Sequence, residues 1–185
     1  MDDLKTETKR PSIEEILEEA KKRLAAEAAD YTIRPATRED IKSVIEINMV
    51  SLPEHYPDEF FYELYEHYGK AFYVAVDPSG RVVGYIMNRV EWKPGFFRHF
   101  IIRSGHVVSI AVLKEHRGKS LGFALMAHGI HSMKNNYKCE ETYLEVRVSN
   151  QPAINLYRKL GYEVVKVARG YYLDGEDAYV MARPL

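Results

Sequence analysis

The segment from His106 to Gly122 is the stretch best suited to hold an anion. Gly105-His106-Val107-Val108-Ser109-Ile110-Ala111-Val112 is the most apolar strand pattern in the chain. It runs into Lys114-Glu115-His116-Arg117-Gly118-Lys119-Ser120-Leu121-Gly122, and a helical pattern follows. A strand-to-helix turn of small residues exposes backbone N–H groups at the positive end of a helix dipole, which is a seat for a pyrophosphate. Arg117 and Lys119 would add charge-assisted contacts. A basic surface turn ahead of an ordinary helix is the alternative reading of the same residues. There is no Gly-x-Gly-x-x-Gly here, and Gly118-Lys119-Ser120 lacks the upstream glycine of a nucleotide-hydrolysing loop. Cys139, the sole cysteine, excludes an intramolecular disulfide and a multi-cysteine zinc site, and no metal is expected. It sits beside the polar run Asn135–Lys138, so thiol nucleophilic catalysis is disfavoured.

These residues need a frame. The chain has 185 residues, 46% of them hydrophobic, enough for one well-buried core. Its 26 basic and 27 acidic residues leave a net charge of -1, which argues against nucleic acid and anionic membranes as partners. Met1-Asp2-Asp3 lacks the basic and apolar regions of a signal peptide, and no apolar run approaches the roughly 18 residues of a membrane span. A cytoplasmic domain is expected.

Residues 1–10 read as polar and loose. Ser12 then caps an amphipathic helix, with Glu15 as reciprocal partner and Ile13, Ile16, Leu17, Ala20 and Leu24 on one face. We divide the chain into residues 1–30, this segment and its appended helix, and a domain over residues 31–185. A strand at Tyr31–Arg34 precedes a helix capped by Thr37 that stops before Pro53. The proline-bracketed loop Leu52–Pro57 leads to a helix ending at Gly69. Strands Ala71–Val76 and Arg81–Val90 make a hairpin, and Lys93–Ser104 reads as a long connection before the apolar strand. A helix at Lys119–Asn135, a strand at Glu141–Val148, a helix from Asn150 to Leu160 and strands Tyr162–Arg169 and Ala178–Ala182 complete the chain. The order β-α-α-β-β-β-α-β-α-β-β predicts an α/β fold.

The layout from Tyr31 to Pro184 resembles the GCN5-related N-acetyltransferase (GNAT) superfamily. Its signature, Arg/Gln-x-x-Gly-x-Gly/Ala, is met by Arg117 and Gly122, but Ser120 stands where the middle glycine belongs. That serine brings a Cβ to a place where the backbone approaches the pyrophosphate. Its hydroxyl could point away or donate to phosphate. A closer resemblance is to the archaeal Ard1-like branch of protein N-terminal acetyltransferases. It is carried by Leu52-Pro53-Glu54-His55-Tyr56-Pro57, by Gly105–Val112, by Tyr143-Leu144-Glu145-Val146-Arg147-Val148-Ser149-Asn150 with Ala153, Leu156-Tyr157 and Leu160-Gly161-Tyr162, and by Gly170-Tyr171-Tyr172 with Asp174–Ala178.

The resemblance implies a GNAT fold: a central mixed, mostly antiparallel sheet splayed between the fourth and fifth strands and flanked by helices. It implies acetyl-CoA as cosubstrate, held by Ser109, Ile110, Ala111 and Val112 along the splayed strand, by Arg117, Gly118, Lys119, Ser120, Leu121 and Gly122 at the pyrophosphate, and by Asn150 and Tyr157. The Ile110 N–H would face the thioester oxygen. Free α-amines of protein or nascent-chain N-termini would attack directly. An α-amine has a pKa of about 7.7–8.0, so a modest base suffices, and Glu54, His106 and Glu145 are the candidates. In the preferred arrangement His106 and Glu145 act through water while Glu54 assists. Tyr157 would protonate or hydrogen-bond the departing thiolate. Leu52, Pro53, Glu54, Tyr56, Tyr171 and Tyr172 would form the peptide-binding rim.

Read without the resemblance, each residue has a plainer role. His106 could be a core histidine, Glu145 could pair with Arg147, Glu54 could cap the next helix and Tyr157 could be core packing. Archaeal relatives act alone and eukaryotic ones with a large helical subunit, and we read this chain as able to act without an auxiliary. The competing functions are acetyl transfer to lysine side chains or small amines, and a non-catalytic acyl-CoA-binding module.

Overall fold

Strand period and helix period alternate along the chain, and the structure follows them closely. The computed structural model describes residues 9–185. Residues 1–8, most of the segment expected to be loose, lie outside the described residues. The elements are α1 (Ile13–Glu27), β1 (Thr32–Pro35), α2 (Ile41–Ser51), α3 (Asp58–Tyr68), β2 (Tyr73–Val76), β3 (Val82–Pro94), β4 (Ile101–Val112), α4 (Leu121–Asn135), β5 (Glu141–Arg147), α5 (Gln151–Lys159), β6 (Glu163–Ala168) and β7 (Ala178–Pro184). Among the described residues the seven strands join one sheet in the order β1-β2-β3-β4-β5-β7-β6. Every neighbouring pair is antiparallel except β4 and β5.

That parallel contact is short. β4 and β5 pair only through Ser104–Glu141, Gly105–Thr142 and His106–Tyr143, and beyond His106 they separate. The sheet is thus the mixed, splayed GNAT sheet that the resemblance implied. On the far edge of β4 the ladder to β3 continues, with Val108 as an extra residue between the Ser109–Met87 and Val107–Asn88 pairs. The Leu113 N–H donates to the Val83 carbonyl at 2.9 Å. Antiparallel alternation therefore turns the N–H groups of Ser109 and Ala111 toward β3, and those of Ile110 and Val112 into the gap.

α4 packs beneath the sheet and is buried on most of its circumference, with Leu121, Phe123, Leu125, Met126, Ile130 and Met133 in the main core. α1 is not a free appendage. Its Ser12 hydroxyl accepts the Glu15 N–H at 3.1 Å, and Ile13, Ile16 and Ala20 are buried in that same core. The helix docks on the domain, principally along α4.

The expected connection at Lys93–Ser104 is corrected. β3 runs on to Pro94 and β4 begins at Ile101, pairing Trp92 with Arg103 and Pro94 with Ile101. Only Gly95–Phe100 turns. The buried carboxylate of Glu141, 1% exposed, accepts the N–H groups of Phe96, Phe97 and Arg98 at 2.7, 3.1 and 3.2 Å. A Cβ at Gly95 would stand 2.5 Å from Glu141 Oε2, so the turn closes only around glycine. His106 accordingly lies in the middle of β4 rather than at its start.

Candidate active site

The gap between β4 and β5 opens into a cavity of about 360 Å³. The α2–α3 loop contributes Leu52, Pro53, Glu54 and Tyr56 to its wall, and the β6–β7 loop contributes Tyr171 and Tyr172. β4 supplies Ser109 and Ile110, β5 supplies Glu145 and Arg147, and α5 with its cap supplies Asn150 and Tyr157. Eleven residues expected at the site from sequence thus share one cavity. A larger, shallower groove of about 820 Å³ lies elsewhere, lined by Tyr65, Tyr73 and Tyr137, and holds none of them.

His106 does not line the cavity. It lies behind Glu145, 7% exposed, with Nε2 donating to Glu145 Oε2 at 2.7 Å. Its ring stacks on Tyr143 with centroids 4.4 Å apart and planes 4° from parallel. Nδ1 faces Glu91 Oε1 at 3.3 Å, an ion-pair distance, but off the N–H direction, so no hydrogen bond forms there. Burial alone would lower the histidine's pKa. The hydrogen bond and charge of Glu145, with the nearby charge of Glu91, outweigh burial and raise it above the usual histidine value. Glu91 moves the other way, to about 2, chiefly through its interaction with His106 and then through the Tyr143 hydroxyl, which donates at 2.8 Å. Glu145 is therefore the carboxylate with one side on His106 and the other on the cavity.

Glu54 does not cap α3, whose N-cap is Pro57. Arg147 Nη2 donates to Glu54 Oε1 at 2.8 Å. Arg147 Nη1 donates to Asp174 and Glu176 of the β6–β7 loop at 2.8 and 2.9 Å, and its guanidinium stacks 4.0 Å over Tyr172. Glu145 is thus not Arg147's partner. The buried Asn48 side chain of α2 donates to the Glu54 carbonyl and the Tyr85 hydroxyl, both at 3.2 Å. Tyr85 in turn shares a 2.7 Å hydrogen bond with Ser109 Oγ.

Tyr157 is buried, and its hydroxyl makes no hydrogen bond within the described residues. Desolvation pushes its pKa up to about 12, so the proton stays on the phenolic oxygen. Asn150 caps α5 by accepting the Ala153 N–H at 3.3 Å while also facing the cavity. Cys139 is buried, which drives its thiol to about 12 and makes it a poor nucleophile.

The turn before α4 suits a pyrophosphate. Gly118 and Ser120 have φ of 78° and 61°, and the N–H groups from Gly118 to Gly122 find no acceptor among the described residues. Arg117 is folded back, its Nε donating to the Val112 carbonyl at 2.8 Å. Ala111 and Val112 continue β4 toward this turn, with the Val112 carbonyl on the gap side. With open N–H groups along the gap and the turn, the residues fit the backbone amides and pyrophosphate of acetyl-CoA. Among the described residues no group of three metal-binding side chains occurs, and no helix is long and apolar enough to cross a membrane.

Sequence reading missed Glu91, Tyr143, Asn48 and Arg147 as parts of the site. Glu91, Tyr143 and Arg147 act on partners far away in sequence, and Asn48 reaches the Glu54 carbonyl only because α2 ends and the loop folds back, so no local spacing marks them. Only the period-two alternation that puts Tyr143, Glu145 and Arg147 on one face of β5 was a usable signal.

Residues 41–162 match the acetyltransferase (GNAT) family. An N-alpha-acetyltransferase of Saccharolobus solfataricus is 54% identical over 158 residues, covering 84% of this chain and 94% of that one. The N-terminal acetyltransferase A complex catalytic subunit ard1 of Schizosaccharomyces pombe is 37% identical over 150 residues, 80% of this chain and 82% of its own. The crystal structure of Ard1 from Thermoplasma volcanium superposes with a TM-score of 0.72 at 29% identity, covering 84% of this chain and 98% of that one. Fold, splayed sheet and sequence agree: the chain is an acetyltransferase of the GNAT family, on the archaeal Ard1-like N-alpha-acetyltransferase branch.

Proposed function

We propose that this chain transfers the acetyl group of acetyl-CoA to the free α-amine of protein N-termini by direct attack, without an acyl-enzyme. The observation that carries this reading is Glu145, which faces the cavity between the two peptide-side loops with His106 at 2.7 Å behind it. Bound acetyl-CoA would supply the thioester carbonyl. Its pantetheine arm would lie along Ser109–Val112 as an added strand, with the Ile110 N–H turned toward the carbonyl oxygen.

The Glu145–His106 pair takes the ammonium proton through one water. The raised pKa of His106 brings it closer to that of an α-amine, so the transfer is less uphill than to an ordinary carboxylate. Glu54, held by Arg147, lies across the cavity and orients the ammonium. The nitrogen lone pair forms the amide bond, the C–S bond breaks, the second N–H proton passes to water or to the released thiolate, and Tyr157 hydrogen-bonds the departing sulfur. A full proton transfer is not required, because a thiol of pKa about 8.5 can leave as the thiolate at neutral pH.

Leu52, Pro53, Tyr56, Tyr171 and Tyr172 hold the first residues of the substrate. Every side chain in this catalytic set comes from the one chain, so an auxiliary subunit need supply no catalytic residue. The test is thiol release from acetyl-CoA with peptides bearing free α-amines, against α-blocked peptides that contain lysine. Release with free α-amines alone supports this reading. Equal release with blocked peptides would reassign the acceptor to lysine or to small amines.

A further inference from the structure

We propose that Glu27, the last residue of α1, is a positioning residue for acetyl-CoA: it holds Ser120 in its left-handed conformation and so makes α1 part of the cofactor site. This rests on the acetyl-CoA reading above.

Ser120 occupies the N-cap position of α4 with φ of 61° and ψ of 18°. That region is unfavourable for a residue with a Cβ and natural for glycine. A serine at an N-cap normally adopts extended backbone and turns its hydroxyl onto an N–H of the first helical turn. Ser120 makes no such capping bond. Its hydroxyl donates to Glu27 Oε2 at 2.6 Å.

The contact has two effects. It compensates the left-handed turn that the missing glycine would have tolerated unaided. It also draws the hydroxyl out of the capping position, leaving the first N–H groups of α4 open to a phosphate. With its proton committed to Glu27, the hydroxyl has only lone pairs left, and an ionised phosphate offers them no donor. Ser120 therefore serves the cofactor through its backbone.

Glu27 is well placed to act as an anchor. Ile13, Ile16 and Ala20 root α1 in the core. The Arg23 guanidinium lies 4.3 Å over the Phe123 ring, in the first turn of α4. Past the helix end, the Tyr31 hydroxyl meets His116 Nδ1 at 2.7 Å on the other side of the turn. A carboxylate beside a pyrophosphate seat is electrostatically unfavourable, so the two possible roles of Glu27 predict opposite signs. As an anchor its loss weakens binding, and as a mere neighbouring charge its loss strengthens it.

The experiment measures CoA affinity by calorimetry, together with kcat and both KM values, for Glu27→Ala, Glu27→Gln, Ser120→Gly and the Glu27→Ala/Ser120→Gly double variant. We expect Glu27→Ala to weaken CoA binding about three- to tenfold, with kcat and peptide KM unchanged. Glu27→Gln, which keeps an acceptor oxygen, stays near the parent protein. In the Ser120→Gly background, Glu27→Ala has no further effect, because glycine needs no anchor. Unchanged or tighter binding in Glu27→Ala, or an equal loss when Glu27→Ala is added to Ser120→Gly, would overturn the proposal. Failure of the parent protein to bind CoA at all would refute the acetyl-CoA reading, and the proposal with it.

Discussion

Arg147 and Glu54 are 93 positions apart, yet a 2.8 Å charge-assisted hydrogen bond ties them together at the mouth of the cavity. The same guanidinium binds Asp174 and Glu176, so one cation joins the α2–α3 loop to the β6–β7 loop. Replacing Arg147 with alanine should free both loops and leave Glu54 unoriented. We expect peptide KM to rise about tenfold, with acetyl-CoA KM little changed. Lysine should not rescue, since a single ammonium cannot reproduce the two-sided fork or the stacking on Tyr172. Steady-state kinetics with each substrate varied in turn checks this.

The histidine–carboxylate cluster predicts a pH profile. His106 has a raised pKa in the folded protein. Its charged form therefore contributes stability that is fully present below the unfolded value of about 6.5 and is lost as pH rises through the folded value. Catalysis runs the opposite way, because the pair becomes a competent base only after losing that proton. kcat should climb with pH above about 6.5. In His106→Gln this limb should disappear and kcat fall about ten- to a hundredfold. An unaltered profile in that variant would exclude His106 from the proton path.

Tyr157→Phe separates chemistry from packing. The hydroxyl has no partner in the described residues, so its removal should leave the melting temperature within about 2 °C. If the hydroxyl serves the leaving sulfur, kcat should drop about tenfold while CoA binding changes little. Pre-steady-state thiol release measures the chemical step directly.

Glu141 is a stability prediction away from the chemistry. Its carboxylate receives three backbone N–H groups of the β3–β4 turn. Glu141→Ala would strand those donors in a partly buried turn and cost about 3 kcal/mol. For a chain of this length that is a fall of roughly 6–12 °C in melting temperature, readable by calorimetry.

Much of this arrangement was legible before any coordinates. The run Gly105–Val112 is a central strand because so apolar a stretch is stable only when both faces are covered. The cap at Ser12 and the stop before Pro53 mark helix ends through local chemistry, whereas Thr37 heads a short 3-10 turn and α2 begins only after Asp40. What escaped was non-local. The outer halves of β3 and β4 carry Pro94 and exposed side chains such as Trp92 and Ile101, so no alternation marks them. Their pairing depends on Glu141, more than 40 residues from the turn it holds. Arg147 looked like a neighbour for Glu145 because both sit on one face of β5, but the carboxylates it binds arrive on two loops from elsewhere.

The parting of β4 from β5 has a mechanical consequence. Ladder pairing between the four-stranded half of the sheet and the three-stranded half is confined to three residue pairs. Beyond His106 the chain leaves a seam, with the N–H groups of Ile110 and Val112 open along the β4 side. A cosubstrate that hydrogen-bonds along that seam acts as a clasp between two half-sheets. Its arrival would stiffen the joint between them, and its departure after each turnover would loosen it again.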